Sequence, residues 1–303
     1  MKIVNLDINY IYPEHREKLK DLGELIIYED IPSEEEGIRR MEDADIVISS
    51  WFPISEKILS KANKLKYLTI AATGYDWVAI KAAGERNIPV SNVPSYSIEA
   101  VAEHTISLLL SACRFDSRAE RDMRNGKWDN TLYKGKELNG KILGIIGYGN
   151  IGKRVAEIAK NGFNMKILYT NTTSSKQEHE RVLRSSDFIS INAPLTDKTK
   201  GMIGKREFEL MKDKVVIVNT GKGAVLNERE LIRFLKSGKV FAAGIDVFEK
   251  EPISKENPLL TFPNVTLTPH ISYNTEEAQH ALSQITLDNI VSFLNGSPKN
   301  IVN

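Results

Sequence analysis

The chain has 303 residues, and its 41 lysines and arginines against 40 aspartates and glutamates leave a formal net charge of +1. That balance gives no global field to attract nucleic acid or an anionic membrane surface, and 41% hydrophobic with 27% charged residues excludes a disordered chain. The single cysteine excludes a disulfide framework and a cysteine metal cage. At about 150 residues per domain the length predicts two domains, each long enough to bury a core.

In chain order, short apolar runs predict strands over 2–6, 46–49, 67–71, 142–146, 166–169, 188–191, 215–219, 242–246 and 265–267. Amphipathic stretches between them predict helices, among them 98–112, 151–161, 205–211, 228–237 and 275–294. Near-continuous apolar strands alternating with helices indicate parallel sheets covered on both faces, hence an α/β fold with βαβ units. Asn92-Val93-Pro94-Ser95 and Thr268-Pro269-His270 are the expected crossings between domains. They divide the chain into residues 1–95 with 275–303, and 96–274. Asp7 interrupts the N-terminus before a signal-peptide core could form, and no apolar run approaches the ~18 residues of a membrane span. A cytoplasmic location is therefore expected. Cys113 follows the apolar run 106–110 and is expected to be buried in a helix. The five histidines show no close pairing of the kind zinc sites use, and no metal is expected.

Gly147-Tyr148-Gly149-Asn150-Ile151-Gly152 fits G-x-G-x-x-G, with a predicted strand running into it and a predicted helix leaving it. In that setting Gly147 permits the tight turn. Gly149 lets the backbone approach a pyrophosphate, and Gly152 lets helix and strand pack closely. The helix N-terminus offers N–H groups and partial positive charge to the phosphates. The following strand ends in Asn171-Thr172-Thr173-Ser174-Ser175-Lys176, without the carboxylate that would bind the ribose of NAD. Thr172, Ser174 or Lys176 could instead donate to a 2′-phosphate, which favours NADP. NAD held through Asn171 is the alternative.

Three further segments end predicted strands in reactive groups: Asn219-Thr220-Gly221-Lys222-Gly223, Asp246 through Glu251-Pro252, and Thr268-Pro269-His270. Ligands in open α/β sheets bind along the carboxyl edge of the strands. With Ala72-Thr73-Gly74-Tyr75-Asp76, Asn92-Val93-Pro94, Val101-Ala102-Glu103-His104 and Ala193-Pro194-Leu195-Thr196, these motifs cover about 71–270 in order. The sequence resembles the D-isomer-specific 2-hydroxyacid dehydrogenase family. The resemblance implies two Rossmann-like or flavodoxin-like parallel-sheet domains with a cleft between them, and hydride transfer between NAD(P)H and a small 2-oxo or 2-hydroxy acid. It implies that His270 is the acid/base, that Glu251 holds its imidazole, and that Asp246 lies near the nicotinamide amide. Thr73 and Gly74 would receive the substrate carboxylate, and Asn150, Ile151, Ala193, Pro194, Thr199 and Thr220 would line the cofactor.

Two departures stand out. The family usually has arginine where this chain has Lys222, which keeps the charge but loses the planar fork that grips a carboxylate. Trp51 occupies a loop where phosphoglycerate-type members carry a basic residue, which disfavours a phosphorylated substrate. The chain ends at Asn303, so no further regulatory domain is expected. Two other readings are a dinucleotide sensor whose catalysis is weakened by Lys222, and a dehydrogenase of an oxyanion such as phosphite. The resemblance also implies a homodimer through the dinucleotide domain, with 108–133 and its Phe115, Met123, Trp128 and Tyr133 as the candidate contact.

Overall fold

The computed structural model describes residues 1–303. They fold as two units, Met1–Ser97 with Asn274–Asn303, and Ile98–Tyr273.

The first unit runs β1 (Lys2–Asn5), α1 (Pro13–Leu22), β2 (Glu24–Ile27), α2 (Glu34–Glu42), β3 (Ile46–Ser49), α3 (Glu56–Lys61), β4 (Tyr67–Ile70), α4 (Ile80–Glu85) and β5 (Val90–Ser91). Its sheet order is β2-β1-β3-β4-β5, and every pair is parallel. This is the flavodoxin-like order, with its reversal between β1 and β3. The two-residue strand period sorts side chains between two cores. Val4, Val47 and Leu68 join Met41 and Leu59 on one face. Ile3, Ile46 and Tyr67 pack on the other against Leu282 and Ile290. β2 and β5 were not expected from the sequence. β2 is a half-exposed edge strand, and β5 is two residues long, so neither presents the apolar run that marks a buried strand.

The second unit runs α5 (Ile98–Arg114), α6 (Asp116–Arg124), β6 (Ile142–Ile146), α7 (Asn150–Phe163), β7 (Lys166–Thr170), α8 (Lys176–Ser185), β8 (Phe188–Ile191), α9 (Lys205–Leu210), β9 (Val215–Asn219), α10 (Glu228–Lys236), β10 (Val240–Ile245) and β11 (Val265–Leu267). The last helix, α11 (Glu276–Leu294), returns to the first unit. The six strands are ordered β11-β10-β9-β8-β6-β7, again all parallel. Val216 and Val218 face Leu108 and Leu109 of α5, while Val215 and Ile217 face Leu231 and Phe234 of α10. The chain reverses direction between β6 and β8, so the carboxyl ends of those strands form the switch point.

Cys113 lies in the α5 core, and burial pushes its thiol up to about 11, which leaves it protonated and unreactive at neutral pH. The segment 108–133 divides in two. Leu108, Leu109 and Cys113 face inward, and Phe115 packs on Phe241 with ring centroids 5.3 Å apart. Met123 and Trp128 remain exposed, Trp128 at 85%. No helix is long and apolar enough to cross a membrane.

Candidate active site

At the switch point of the second unit, Gly147 adopts φ +99°, and a Cβ there would stand 2.5 Å from the Ala193 nitrogen. Only glycine satisfies both conditions. The close approach draws the turn after β6 against the Ala193-Pro194 loop after β8. A Cβ on Gly152 would lie 2.3 Å from the Gly147 carbonyl, so the third glycine lets the first turn of α7 close on the loop. Gly149 is different. Its φ of −84° suits any residue, and a Cβ there would meet no protein atom within 4 Å. Neither backbone strain nor internal packing demands glycine at this position, which leaves approach of a ligand as the physical reason. Gly149 caps α7 without a side-chain hydrogen bond, so the N–H groups of Asn150, Ile151 and Gly152 have no cap of their own. The cradle fits a pyrophosphate.

The polar loop after β7 is organised locally. Asn171 Oδ1 accepts from Thr173 N at 2.9 Å and from the Thr173 hydroxyl at 2.8 Å. Ser175 and Glu178 form a capping box at the start of α8. Thr172 and Lys176 are exposed. Thr199 closes the turn after β8, donating to the Pro194 carbonyl at 2.6 Å and accepting from Thr196 N at 2.8 Å. Thr220 is buried, its hydroxyl 2.7 Å from that of Thr105.

The three segments after β9, β10 and β11 converge. His270 Nδ1 lies 2.6 Å from Glu251 Oε2, and the two side chains are 26% and 31% exposed. Glu251 Oε1 accepts from Phe248 N at 2.9 Å, which fixes the carboxylate from behind. Burial pushes the Glu251 carboxyl up. The hydrogen bond and charge of His270, the Phe248 N–H and the charge of Lys222 outweigh it and hold the carboxyl below its ordinary value. Glu251 is therefore an anion at neutral pH and accepts the Nδ1–H of His270.

His270 itself has φ +54°, an uncommon conformation for a residue with a side chain. Asp246 holds it there. The His270 N–H donates to the Asp246 carbonyl at 2.9 Å. The Asp246 carboxylate, fully buried, accepts from Thr268 Oγ1 at 2.6 Å, Ile271 N at 2.9 Å and Ser272 N at 3.0 Å. His104 Nε2 approaches it at 3.6 Å and lies 3.1 Å from Thr268 Oγ1. Burial alone would push the Asp246 carboxyl up, but His104, Thr268, Ile271 and Ser272 together hold it far below the carboxylate range.

Lys222 is carried on a loop clamped by buried Asn219, whose Oδ1 accepts from Gly221 N at 3.1 Å and whose amide donates to the Lys222 carbonyl at 3.2 Å. A Cβ on Gly223 would lie 1.8 Å from the Phe248 carbonyl, so this loop and the one bearing Glu251 touch backbone to backbone.

In the first unit the corresponding edge is built on Asp7. Its buried carboxylate accepts from Ser50 N at 2.9 Å, Trp51 N at 2.9 Å and Phe52 N at 2.7 Å, shaping the loop after β3. Trp51 Nε1 donates to the Tyr10 hydroxyl at 3.0 Å. The Thr73-Gly74 turn follows β4. Thr73 Oγ1 donates to the Val93 carbonyl at 2.9 Å, and Asn92 Nδ2 donates to the Thr73 carbonyl at 2.7 Å. Sequence reasoning missed Asp7, His104, Thr105 and Asn219 as builders of these edges. Asp7 and Asn219 offer only the signal of a polar residue at or just past a strand end, and His104 and Thr105 only that of polar residues within the largely apolar helix α5.

The NAD-binding-domain model of the D-isomer-specific 2-hydroxyacid dehydrogenases matches residues 106–272. The chain belongs to that family. It is an NAD(P)-dependent oxidoreductase. Hydroxypyruvate reductase of Blautia hydrogenotrophica is 37% identical over 322 aligned positions covering all of both chains. Glyoxylate reductase of Korarchaeum cryptofilum is 35% identical over 94% of this chain and 91% of its own. Among solved structures, an acyclic imino acid reductase in complex with NADPH and D-Arg superposes with a TM-score of 0.92 at 32% identity, with both chains fully covered.

The family member's buried Asp246 gives a stability prediction. Its folded pKa lies below the unfolded one, so its stabilisation is complete above about pH 4 and is lost as pH falls below that. Asp246→Asn should cost about 3 kcal/mol at neutral pH, because an amide nitrogen then faces N–H donors in the core. The gap in melting temperature between variant and wild type should narrow in acid. Calorimetry at neutral pH and at about pH 3 checks this, and an equal gap at both contradicts it.

Proposed function

We propose that this enzyme reduces a short 2-oxo acid of the glyoxylate or hydroxypyruvate type, with NADPH as the favoured donor. The observation that carries the reading is the 2.6 Å pairing of His270 Nδ1 with the Glu251 carboxylate at the sheet edge. Bound NAD(P)H supplies the hydride to the carbonyl carbon. His270 supplies the proton: Nε2–H donates to the carbonyl oxygen as it gains charge, and Nδ1–H stays on Glu251. Glu251 fixes the plane of the ring throughout. Lys222 places an ammonium for the substrate carboxylate, with the Thr73 and Gly74 backbone as the receiving turn. The turn at Gly147–Gly152 holds the pyrophosphate, and the loops at Ala193-Pro194 and Thr220 line the dinucleotide. Thr199 and Asp246 act as positioning residues, the first through the 194–199 turn and the second through the 268–272 turn.

The cofactor preference rests on the loop after β7. It offers no carboxylate to a 2′-phosphate from 171 to 177, and Glu178 is folded back onto Ser175. Thr172 in that loop and Lys176 at the start of α8 stand exposed as donors. A homodimer is proposed through the second unit, where exposed Met123 and Trp128 give a partner an apolar surface.

The deciding experiment is a panel of 2-oxo acids with NADH and NADPH, read by absorbance. Each acid is also tested with ammonia, because a solved neighbour is an imino acid reductase. Glyoxylate or hydroxypyruvate should lead, with lower KM for NADPH. No turnover on any acid by a chain that still binds dinucleotide would overturn the proposal. Three variants sharpen it. His270→Gln should lower kcat by about 10²–10⁴-fold while leaving dinucleotide affinity intact. Lys222→Arg should raise kcat/KM for glyoxylate by about tenfold, the worth of one added charge-assisted hydrogen bond, and an unchanged value would remove Lys222 from carboxylate binding. Gly149→Ala should keep the wild-type melting temperature yet weaken dinucleotide binding at least about tenfold, whereas unaltered affinity would separate the glycine turn from the pyrophosphate.

A further inference from the structure

A second cluster of ligating side chains stands in the first unit. Glu14 and His15 lie in the first turn of α1, and His280 lies on α11. Glu14 and His280 are 266 positions apart, yet Glu14 Oε1 and His280 Nε2 lie 3.1 Å from each other. The His15 and His280 rings are 5.2 Å apart. One donor atom from each of the three residues lies within 4.8 Å of the other two. Sequence spacing gave no hint of this, because helix packing rather than local repeat brings the histidines together.

We propose that Glu14, His15 and His280 bind a divalent transition-metal ion of the zinc type, which fastens the start of α1 to α11. Two imidazoles and one carboxylate are a nitrogen-rich, borderline set that suits zinc or cobalt. A single carboxylate is a poor offer to calcium or magnesium, which require several oxygens. Ligand bonds of about 2.0–2.1 Å place donor atoms about 3.3 Å apart around a tetrahedron. Glu14 and His280 already meet that separation, and both are half-exposed, so small rotations bring them onto the ion.

His15 is the fixed member. It is buried, and its Nδ1 lies 2.6 Å from Ser283 Oγ on α11. Ser283 is held in turn by the Tyr12 N–H at 2.9 Å. An outer partner on one ring nitrogen is what orients a metal-binding imidazole through the other. The Tyr12 ring packs edge-on against His280 with centroids 5.1 Å apart and limits its swing. Three protein ligands leave the remaining coordination to water.

The test uses the full chain, stripped with a chelator and titrated with Co²⁺ alone, then with Zn²⁺. One equivalent of Co²⁺ per chain should bind with visible ligand-field bands, and Zn²⁺ should displace it. At a hundredfold excess over Kd, Zn²⁺ should raise the melting temperature by about 5 °C. His280→Ala and Glu14→Gln alter half-exposed side chains and keep the fold. Each should weaken binding at least about tenfold and abolish the thermal shift. Uptake and thermal shift equal to wild type in His280→Ala, or no uptake by the wild type, overturns the proposal. Because dinucleotide binding and turnover are not read, failure here is separate from failure of the reductase reading.

Discussion

The site depends on how one imidazole is held. His270 is gripped from two sides by groups of different kinds. Asp246 grips its backbone, taking the His270 N–H on its carbonyl and the N–H groups of the next two residues on its carboxylate. Glu251 grips the ring. A buried carboxylate is costly unless every lone pair finds a donor, and the turn from Thr268 to Ser272 supplies those donors. The cost of burying Asp246 thus enforces a left-handed conformation at His270 that would otherwise be disfavoured. Were the carboxylate neutral or displaced, the turn from Thr268 to Ser272 would lose the acceptor that shapes it around His270.

That grip in turn relies on the parallel sheet. β9, β10 and β11 are neighbours in register, so the loops bearing Lys222, Asp246 with Glu251, and His270 leave the sheet side by side. The backbone contact at Gly223 and the clamp at Asn219 join the first two loops. At β6 and β8 the same edge carries the glycine turn and the Ala193 loop. The parallel arrangement explains how residues more than a hundred positions apart along the chain come to one sheet edge.

Much of this was legible in the sequence. The apolar runs of β3, β6, β8, β9 and β11 have the observed bounds, because strands buried on both faces are apolar throughout. Gly147 could be singled out because it ends such a run, and Glu251 and His270 through the family resemblance. The edge strands β2 and β5 were hidden, since half-exposed or two-residue strands leave no periodic trace. Asp246 was visible as a residue but not as an anchor, because its partners lie 22 to 26 positions ahead and on α5. Asp7 read only as an interruption of an apolar stretch, yet its carboxylate shapes the loop of Trp51. The Glu14, His15 and His280 cluster lies beyond any local pattern, since it exists only once α11 has returned to the first unit.

The central claim is that Glu251 works through His270 rather than on the substrate directly. A double-mutant cycle on kcat/KM with the best 2-oxo acid tests it. Glu251→Gln alone should cost about 10²-fold, and the same substitution in a His270→Gln background should cost almost nothing, because the residue it serves is already gone. Equal losses in both backgrounds would contradict the account.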